Sequence, residues 1–128
     1  MTPAEYESEL ARRMNAKDLD GTLELIADDA IYFWSNGSAM FGKAAIAEGF
    51  RENFASIEND TYEKLDVTWL AQSDDVAACV FKFQWTGEIG GKLASGSGRG
   101  ASVLRRIDGE WRTMHENLSA GAWKPQAL

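Results

Sequence analysis

The hydrophobic period of this chain changes near residue 62, and this change restricts the possible folds more than any other feature. Between residues 77 and 86 apolar and polar side chains alternate at a period of two, which is typical of a half-buried strand. A similar, shorter alternation runs over residues 64–69, and Lys64 falls on its polar side. Turn sequences at residues 90–91 (Gly-Gly) and 108–109 (Asp-Gly) indicate hairpins. The second half therefore predicts four long strands in an antiparallel sheet.

The first half is mainly helical. Thr2 and Glu5 have the spacing of a capping box at the start of a first helix. Asp18 is a candidate N-cap for a second helix, whose buried side would include Ile26 and Ala27. The remaining elements are a strand at residues 30–34 and a third helix with apolar residues Ile46, Phe50, Phe54 and Ile57. Helices followed by hairpin-linked strands predict an α+β domain.

Composition excludes several classes of function. The chain has 128 residues and a formal net charge of −7, so we expect a single domain over residues 1–128 and no binding to nucleic acid or to a membrane. The polar, acidic first residues do not resemble a secretory signal. The one cysteine, Cys79, cannot form an intramolecular disulfide, which favours a cytoplasmic location. One histidine and one cysteine give no metal-ligand spacing, and we expect no metal or cofactor.

Alternating glycines stand out at residues 96, 98 and 100. A phosphate-binding loop needs a helix N-terminus after its glycines, but a strand is predicted to follow here. We therefore interpret these glycines as a bend or bulge in a coiled strand.

Six short sequence segments stand out together. They are, in chain order, DLDG (18–21), LIADDA (25–30), GKAAI (42–46), GRGASVLRR (98–106), DGEWR (108–112) and MHENLS (114–119). Together they resemble the nuclear transport factor 2-like superfamily, in its SnoaL-like and ketosteroid-isomerase-like branch. The resemblance covers residues 5–119, and the last segment is similar to the association domain of calmodulin-dependent kinase.

The resemblance implies a cystatin-like roll: a cone-shaped, curved and mostly antiparallel sheet wrapped around a long third helix, with two further N-terminal helices. It also implies a pocket at the wide end and a homodimer through the convex sheet face. Members of the superfamily include ketosteroid isomerases, polyketide cyclases, epoxide hydrolases and dehydratases, as well as proteins without catalytic activity. The fold alone does not select among these functions.

Two of the family's reactions lack their residues in this chain. The position of the isomerase's general-base aspartate is Trp34, and that of its oxyanion tyrosine falls near Leu10. The epoxide hydrolases' Arg-x-Asp pattern reads Arg99-Gly100-Ala101, without the second carboxylate. We therefore expect neither of these two mechanisms.

Strand parity predicts which side chains line the pocket. We expect the ligand pocket to contain Tyr32, Trp34, Trp85, Arg99 and Asn117, with His115 beside them. Aromatic walls with a few polar groups suit a small apolar or carbonyl-containing ligand. Which face of the last strand points into the pocket stays open, because the face opposite to His115 and Asn117 carries the apolar residues Met114 and Leu118.

His115 is the candidate catalytic residue, as the one side chain expected to titrate near neutrality. It could act as a general acid or base, or it could be a histidine at the edge of the core that is bonded to backbone. Arg99 could bind a carboxylate or enolate, or pair with a buried acid. Two functions remain open: a cofactor-independent isomerase, dehydratase or cyclase that uses His115, and a non-catalytic module for ligand binding or oligomerisation.

Overall fold

The fold, seen in a computed structural model that describes residues 1–121, combines three helices with one six-stranded sheet. The strand order is β2-β1-β6-β5-β4-β3, and every neighbouring pair is antiparallel except β1 and β6. This confirms the predicted α+β roll with a curved, mostly antiparallel sheet. The predicted tail at 121–128 lies outside the described residues, apart from Gly121. The elements are α1 (Pro3–Asn15), α2 (Leu19–Glu24), β1 (Ile26–Phe33), β2 (Ala39–Phe41), α3 (Lys43–Ser56), β3 (Glu58–Gln72), β4 (Val76–Ile89), β5 (Lys92–Ile107) and β6 (Glu110–Ala120).

The second helix is shorter than its periodicity predicts. It ends at Glu24, and Ile26 and Ala27 belong to β1 instead. The Leu25 carbonyl accepts a hydrogen bond from the backbone N–H of Thr113, and Ile26 is paired with Thr113. Pairing with a distant strand therefore ends the helix before its apolar stripe is complete.

The helices pack on one face of the sheet, which we call the inner face. Ile46 and Phe50 of α3 are buried against Tyr32 and Met40, while α1 packs its own apolar side near Trp111. The opposite, outer face carries no helix among the described residues. No helix within residues 1–121 is long and apolar enough to cross a membrane.

The alternating glycines lie on the inner face of β5, where each pairs with an aromatic residue of β4. A Cβ atom on Gly98 would stand 2.0 Å from the Ser119 carbonyl oxygen and 2.7 Å from the Phe83 ring. Of the bend or bulge expected at these glycines, the bulge is wrong, because no register shift interrupts the pairing of β4 with β5. The aromatic rings of β4 occupy the space above all three glycines, and backbone carbonyls of β6 also approach Gly98 and Gly100, so a side chain does not fit there.

The pairing register shifts at several other places in the sheet, and two of these bulges determine which side chains reach the inner face near the cavity. In β3, Asp66 has a positive φ of 52°, and the pairing with β4 shifts between Leu65 and Thr68. In β6, Met114 is the extra residue: Thr113 pairs with Leu104, and His115 pairs with the adjacent Val103. An extra residue moves the side chains that follow it to the other face, up to the next shift in that strand.

Candidate functional site

A cavity of about 240 Å³ lies between α3 and the inner face of the sheet. Most of its wall is aromatic or aliphatic. Two carboxylates line it, Glu116 of β6 and Asp60 of β3, and Asp60 is paired with Lys17. The lining residues are Met14, Asn15, Trp34, Ser35, Asn36, Phe50, Asn53, Phe54, Ile57, Asp60, Tyr62, Phe83, Trp85, Glu116 and Leu118.

Two of the predicted pocket residues, Trp34 and Trp85, line this cavity. Tyr32 is fully buried beneath it and packs edge-on against Phe50. The Tyr32 hydroxyl makes no hydrogen bond within residues 1–121. Burial raises its pKa well above the ordinary value, and the nearby Thr113 hydroxyl only partly opposes this.

The other three predicted site residues lie on the outer face. Nδ1 of His115 is 2.7 Å from the Ile31 carbonyl oxygen, and its ring packs edge-on against Phe33. Arg99 and Asn117 are exposed and line a shallow depression on that face. The structure thus differs from the expected convergence of these side chains with the tryptophans. The bulge at Met114 turns His115 and Asn117 outward, whereas Arg99 faces outward because it alternates along β5 with the inward-facing Gly98 and Gly100.

The same bulge turns Glu116 inward. Its side chain is only 5% exposed, and its Oε1 atom lies 2.8 Å from Nζ of Lys64. The Ser102 hydroxyl donates a longer hydrogen bond, 3.3 Å, to that oxygen. No hydrogen bond from residues 1–121 reaches the second oxygen, Oε2. Glu116 therefore has one oxygen held by the protein and one left for a molecule in the cavity.

Lys64 joins Glu116 to a second buried carboxylate, Glu7 of α1. Its Nζ atom is 2.9 Å from Glu7 Oε2 and lies 4.4 Å from the centre of the Phe81 ring. Lys64 and Glu7 are each 9% exposed at the side chain. We call Glu7, Lys64 and Glu116 the ion cluster. It places one cation between two carboxylates in the interior.

Burial and the neighbouring charges shift the pKa values of Glu7 and Lys64. Burial raises the pKa of Glu7, and the negative charge of Glu116 adds to this, while Lys64 opposes it. Burial acts to lower the pKa of Lys64, but the charges of Glu116 and Glu7 prevail and raise it well above its ordinary value. Lys64 is therefore an ammonium ion at neutral pH, and Glu7 holds a proton more tightly than a free glutamic acid does.

A neutral cluster lies next to the ion cluster. The Tyr6 hydroxyl donates to the Leu25 carbonyl, is 2.6 Å from the Thr113 hydroxyl, and accepts from the Thr113 N–H at 2.9 Å. We call Tyr6, Leu25 and Thr113 the tyrosine cluster. It ties α1 to the point where β1 meets β6.

The end of the cavity near α1 is fixed by polar contacts to backbone. The Asn15 amide donates to the Tyr62 carbonyl at 3.0 Å and accepts from the Tyr62 N–H at 2.8 Å. Lys17 pairs with Asp60 at 3.0 Å and donates to the Phe54 carbonyl at 3.0 Å. These contacts hold α1, α3 and β3 together around the cavity. Within residues 1–121, no three His, Cys, Asp or Glu side chains are grouped as metal ligands.

The alternation of side chains does not identify the ion cluster. Lys64 falls on the polar side of the pattern, although it points inward before the bulge at Asp66. One signal does point to Glu116: it lies two residues from apolar Leu118, and an inward Leu118 implies an inward Glu116. Glu7 gives no comparable signal, because its partners lie far along the chain.

The similarity to known proteins extends over nearly the whole chain. The sequence model of the SnoaL-like domain matches residues 7–122. No curated protein matches the sequence.

Three solved structures illustrate the structural similarity. A nuclear transport factor 2-like superfamily protein from Salmonella enterica has a TM-score of 0.82 and 18% identity, covering 94% of this chain and 89% of that one. A ketosteroid isomerase-like protein from Erwinia carotovora has a TM-score of 0.78 and 20% identity, covering 93% of both chains. A candidate calcium/calmodulin dependent protein kinase II association domain from Xanthomonas campestris has a TM-score of 0.75 and 18% identity, covering 92% and 81%. At these identities the similarity shows the fold alone.

Proposed function

Because the chain belongs to the SnoaL-like domain family, we propose that it binds a small carbonyl-containing organic molecule in the aromatic cavity and moves a proton of that molecule with Glu116. The observation that carries the proposal is the carboxylate of Glu116, which faces an otherwise mostly apolar wall with one oxygen unbound by the described residues. Apolar walls with a few polar groups are the usual composition of a small-molecule site.

The size of the cavity limits the ligand. Its volume of about 240 Å³ lies below the range of roughly 300–1,000 Å³ that is usual for drug-sized ligands. A molecule with one ring or a short branched chain suits this space better than a tetracyclic steroid. The flat rings of Trp34 and Trp85 favour a planar ligand, such as a cyclic enone.

The proposed reaction is a proton transfer next to a carbonyl group. Oε2 of Glu116 takes the proton as the C–H bond breaks, and the electron pair of that bond moves into an enolate. The proton then returns to a different carbon, so that the product is an isomer and no cofactor is consumed. Asn36 and Asn53 line the cavity and offer amide N–H groups to the enolate oxygen. This assigns to Glu116 the role that the sequence suggested for His115.

Exchange in heavy water tests the proposal. Cyclic ketones and enones with one ring serve as probes, and NMR follows both the shifts of the Trp34 and Trp85 indole N–H groups and the loss of ligand protons to deuterium. We expect Glu116→Gln to keep binding but to slow exchange by about 100-fold or more. The exposed Glu52→Gln is the matched control and should exchange like the wild type.

Two outcomes contradict parts of this proposal. If the probes bind but Glu116→Gln exchanges them as fast as the wild type does, Glu116 is not the base, and the non-catalytic ligand-binding function replaces the enzyme. If no probe shifts the indole signals of Trp34 and Trp85, the cavity is not the ligand site.

We further propose that two copies associate through the outer face. Phe33, Val80 and Val103 form an apolar area there, and Phe41 at its edge is 65% exposed. A second copy would cover this area, and His115 would then lie at the interface. Light scattering should give the mass of a dimer, and Val80→Arg should give a monomer. Leu93→Arg, on the exposed β4–β5 hairpin, is the control that should stay dimeric; a monomeric wild type contradicts the proposal.

For location we propose the cytoplasm. Cys79 is a buried free thiol, as expected of a protein that works under reducing conditions. Cell fractionation with a cytoplasmic marker tests this, and recovery outside the cytoplasm contradicts it.

A further inference from the structure

The charge of the ion cluster is unbalanced if both of its carboxylates are ionised. Lys64 contributes one positive charge, and Glu7 and Glu116 would contribute two negative charges within 3 Å of its Nζ atom. All three side chains are at least nine-tenths buried. An uncompensated buried charge is costly, so a cluster of this composition favours a bound proton that makes it neutral.

The ion cluster also reaches two separate cavities. Glu116 faces the ligand cavity, while Glu7 and Lys64 line a groove of about 420 Å³ between α1 and β3. Oε1 of Glu7 is buried and has no hydrogen-bond partner within residues 1–121. Met14, Asn15 and Tyr62 border both cavities and form the partition between them. The two carboxylates thus stand on opposite sides of this partition, joined by Lys64.

We propose that Glu7 and Glu116, on either side of Lys64, share one proton. In the resting state Glu7 holds this proton, and Glu116 is then free to act as a base. When Glu116 takes a proton from a ligand, Glu7 releases its own proton to water in the groove. One proton enters the cluster and one leaves it, so its charge does not change. The reverse transfer restores the resting state. This inference rests on the proposed function of Glu116, and it makes Glu7 and Lys64 positioning residues.

The other titratable groups around the cluster do not compete for this proton. Each is a neutral acid whose pKa is raised mainly by burial, so each keeps its own proton at neutral pH. They are Tyr6 of α1, Tyr32 of β1, Tyr62 of β3 and Cys79 of β4.

Infrared spectroscopy at neutral pH counts the shared proton without any ligand. A protonated carboxyl group has a C=O stretching band that shifts in heavy water, and we expect the wild type to show one such group. In Glu7→Gln the remaining carboxylate pairs with Lys64 alone, so the band should disappear. Glu116→Gln should lose the band for the same reason, although Glu7 is still present. Glu52→Gln is the matched control and should keep it.

Lys64→Met provides an independent readout. Without the ammonium ion, both carboxylates are expected to be protonated, and the band should double relative to the wild type. If this variant does not fold, the two Glu→Gln variants still decide the matter. A wild type without the band overturns the proposal, and so does a band that persists in Glu116→Gln, since Glu7 would then be protonated by burial alone.

These results are separable from the proposed function. The band count needs no ligand, whereas binding and exchange in the ligand cavity are measured on the Trp34 and Trp85 signals and on the probe. Exchange that depends on Glu116 without a shared proton would overturn the relay and keep the base. A shared proton with no probe bound would overturn the ligand site and keep the neutral cluster.

Discussion

Two adjacent residues of α1, Tyr6 and Glu7, enter two very different buried clusters on the same face of the sheet. In the tyrosine cluster every contact is between neutral groups, and the hydroxyl of Tyr6 is both donor and acceptor. In the ion cluster Glu7 Oε1 is unpaired within residues 1–121, and the formal charges do not cancel. A saturated neutral network holds elements together, whereas an incomplete charged network has a free site for a proton or a ligand.

The largest effect should follow from removing the cation. Lys64→Met leaves two buried carboxylates without a cation, and we expect it to lower the free energy of unfolding by about 3–5 kcal/mol at pH 7. Without Lys64 the pKa of Glu7 rises further in the folded state, because the cation that opposes the effect of burial is gone. The contribution of Glu7 to stability is then highest at low pH and is lost as the pH rises through the raised value, so the deficit should shrink on acidification. Urea unfolding at pH 7 and pH 5 measures this.

The control for this variant is a surface ion pair. Lys43 lies 3.1 Å from Asp28, whose side chain is 97% exposed, so Lys43→Met should cost less than about 1 kcal/mol at either pH. Equal losses in Lys64→Met and Lys43→Met, or a deficit that does not depend on pH, would contradict the importance of charge balance in the ion cluster.

The tyrosine and ion clusters also show how far the sequence predicts this molecule. Local patterns identify the α+β class and the hairpins, because the alternation at 77–86 and the turn at 108–109 need no distant partner. The two bulges depend on how β3 and β6 pair with their neighbours, and no local pattern marks the extra residues Asp66 and Met114. Their effect on the site is large, since the bulge at Met114 exchanges His115 for Glu116 on the inner face.

In the tyrosine cluster, Tyr6→Phe should have the second largest effect. The change removes the hydroxyl that contacts the Leu25 carbonyl, the Thr113 N–H and the Thr113 hydroxyl. The Leu25 carbonyl and the Thr113 N–H still bind each other, but the buried Thr113 hydroxyl loses its partner, and a buried group left unpaired costs about 1–3 kcal/mol. Because the groups are neutral, the loss should be the same at pH 5 and pH 7 by urea unfolding. A loss that changes with pH as in Lys64→Met would mean that the two clusters are one electrostatic unit.

Glu7→Gln should change the pH dependence of stability more than stability itself. Burial raises the pKa of Glu7 in the folded state, so its contribution is fully present below the ordinary value of 4.5 and is lost as the pH rises through the raised value. A tenfold change in an acid dissociation constant corresponds to about 1.4 kcal/mol, so we expect the wild type to lose roughly 1 kcal/mol per pH unit within this window. Glu7→Gln should remove that slope in thermal or urea unfolding from pH 4 to pH 8.

Glu9 is a control of opposite sign. Hydrogen bonds from Arg12 and then Arg13 lower the pKa of this partly exposed carboxyl group to about 2, so its contribution is present above the ordinary value and is lost only as the pH falls. Glu9→Gln should leave the slope above pH 4.5 unchanged. A wild-type slope that survives in Glu7→Gln would assign it to another group.

Tyr32→Phe should have the smallest effect, although Tyr32 is as deeply buried as Tyr6. Its hydroxyl has no hydrogen-bond partner within residues 1–121, so removal leaves no group unpaired and relieves a desolvated oxygen. We expect a change in the free energy of unfolding between zero and a gain of about 1 kcal/mol, at both pH 5 and pH 7. The same substitution thus gives opposite results at two buried tyrosines, because only the Tyr6 hydroxyl completes a network. If Tyr32→Phe costs as much as Tyr6→Phe, the Tyr32 hydroxyl has a partner such as an ordered water, and the inner face then holds two closed networks instead of one.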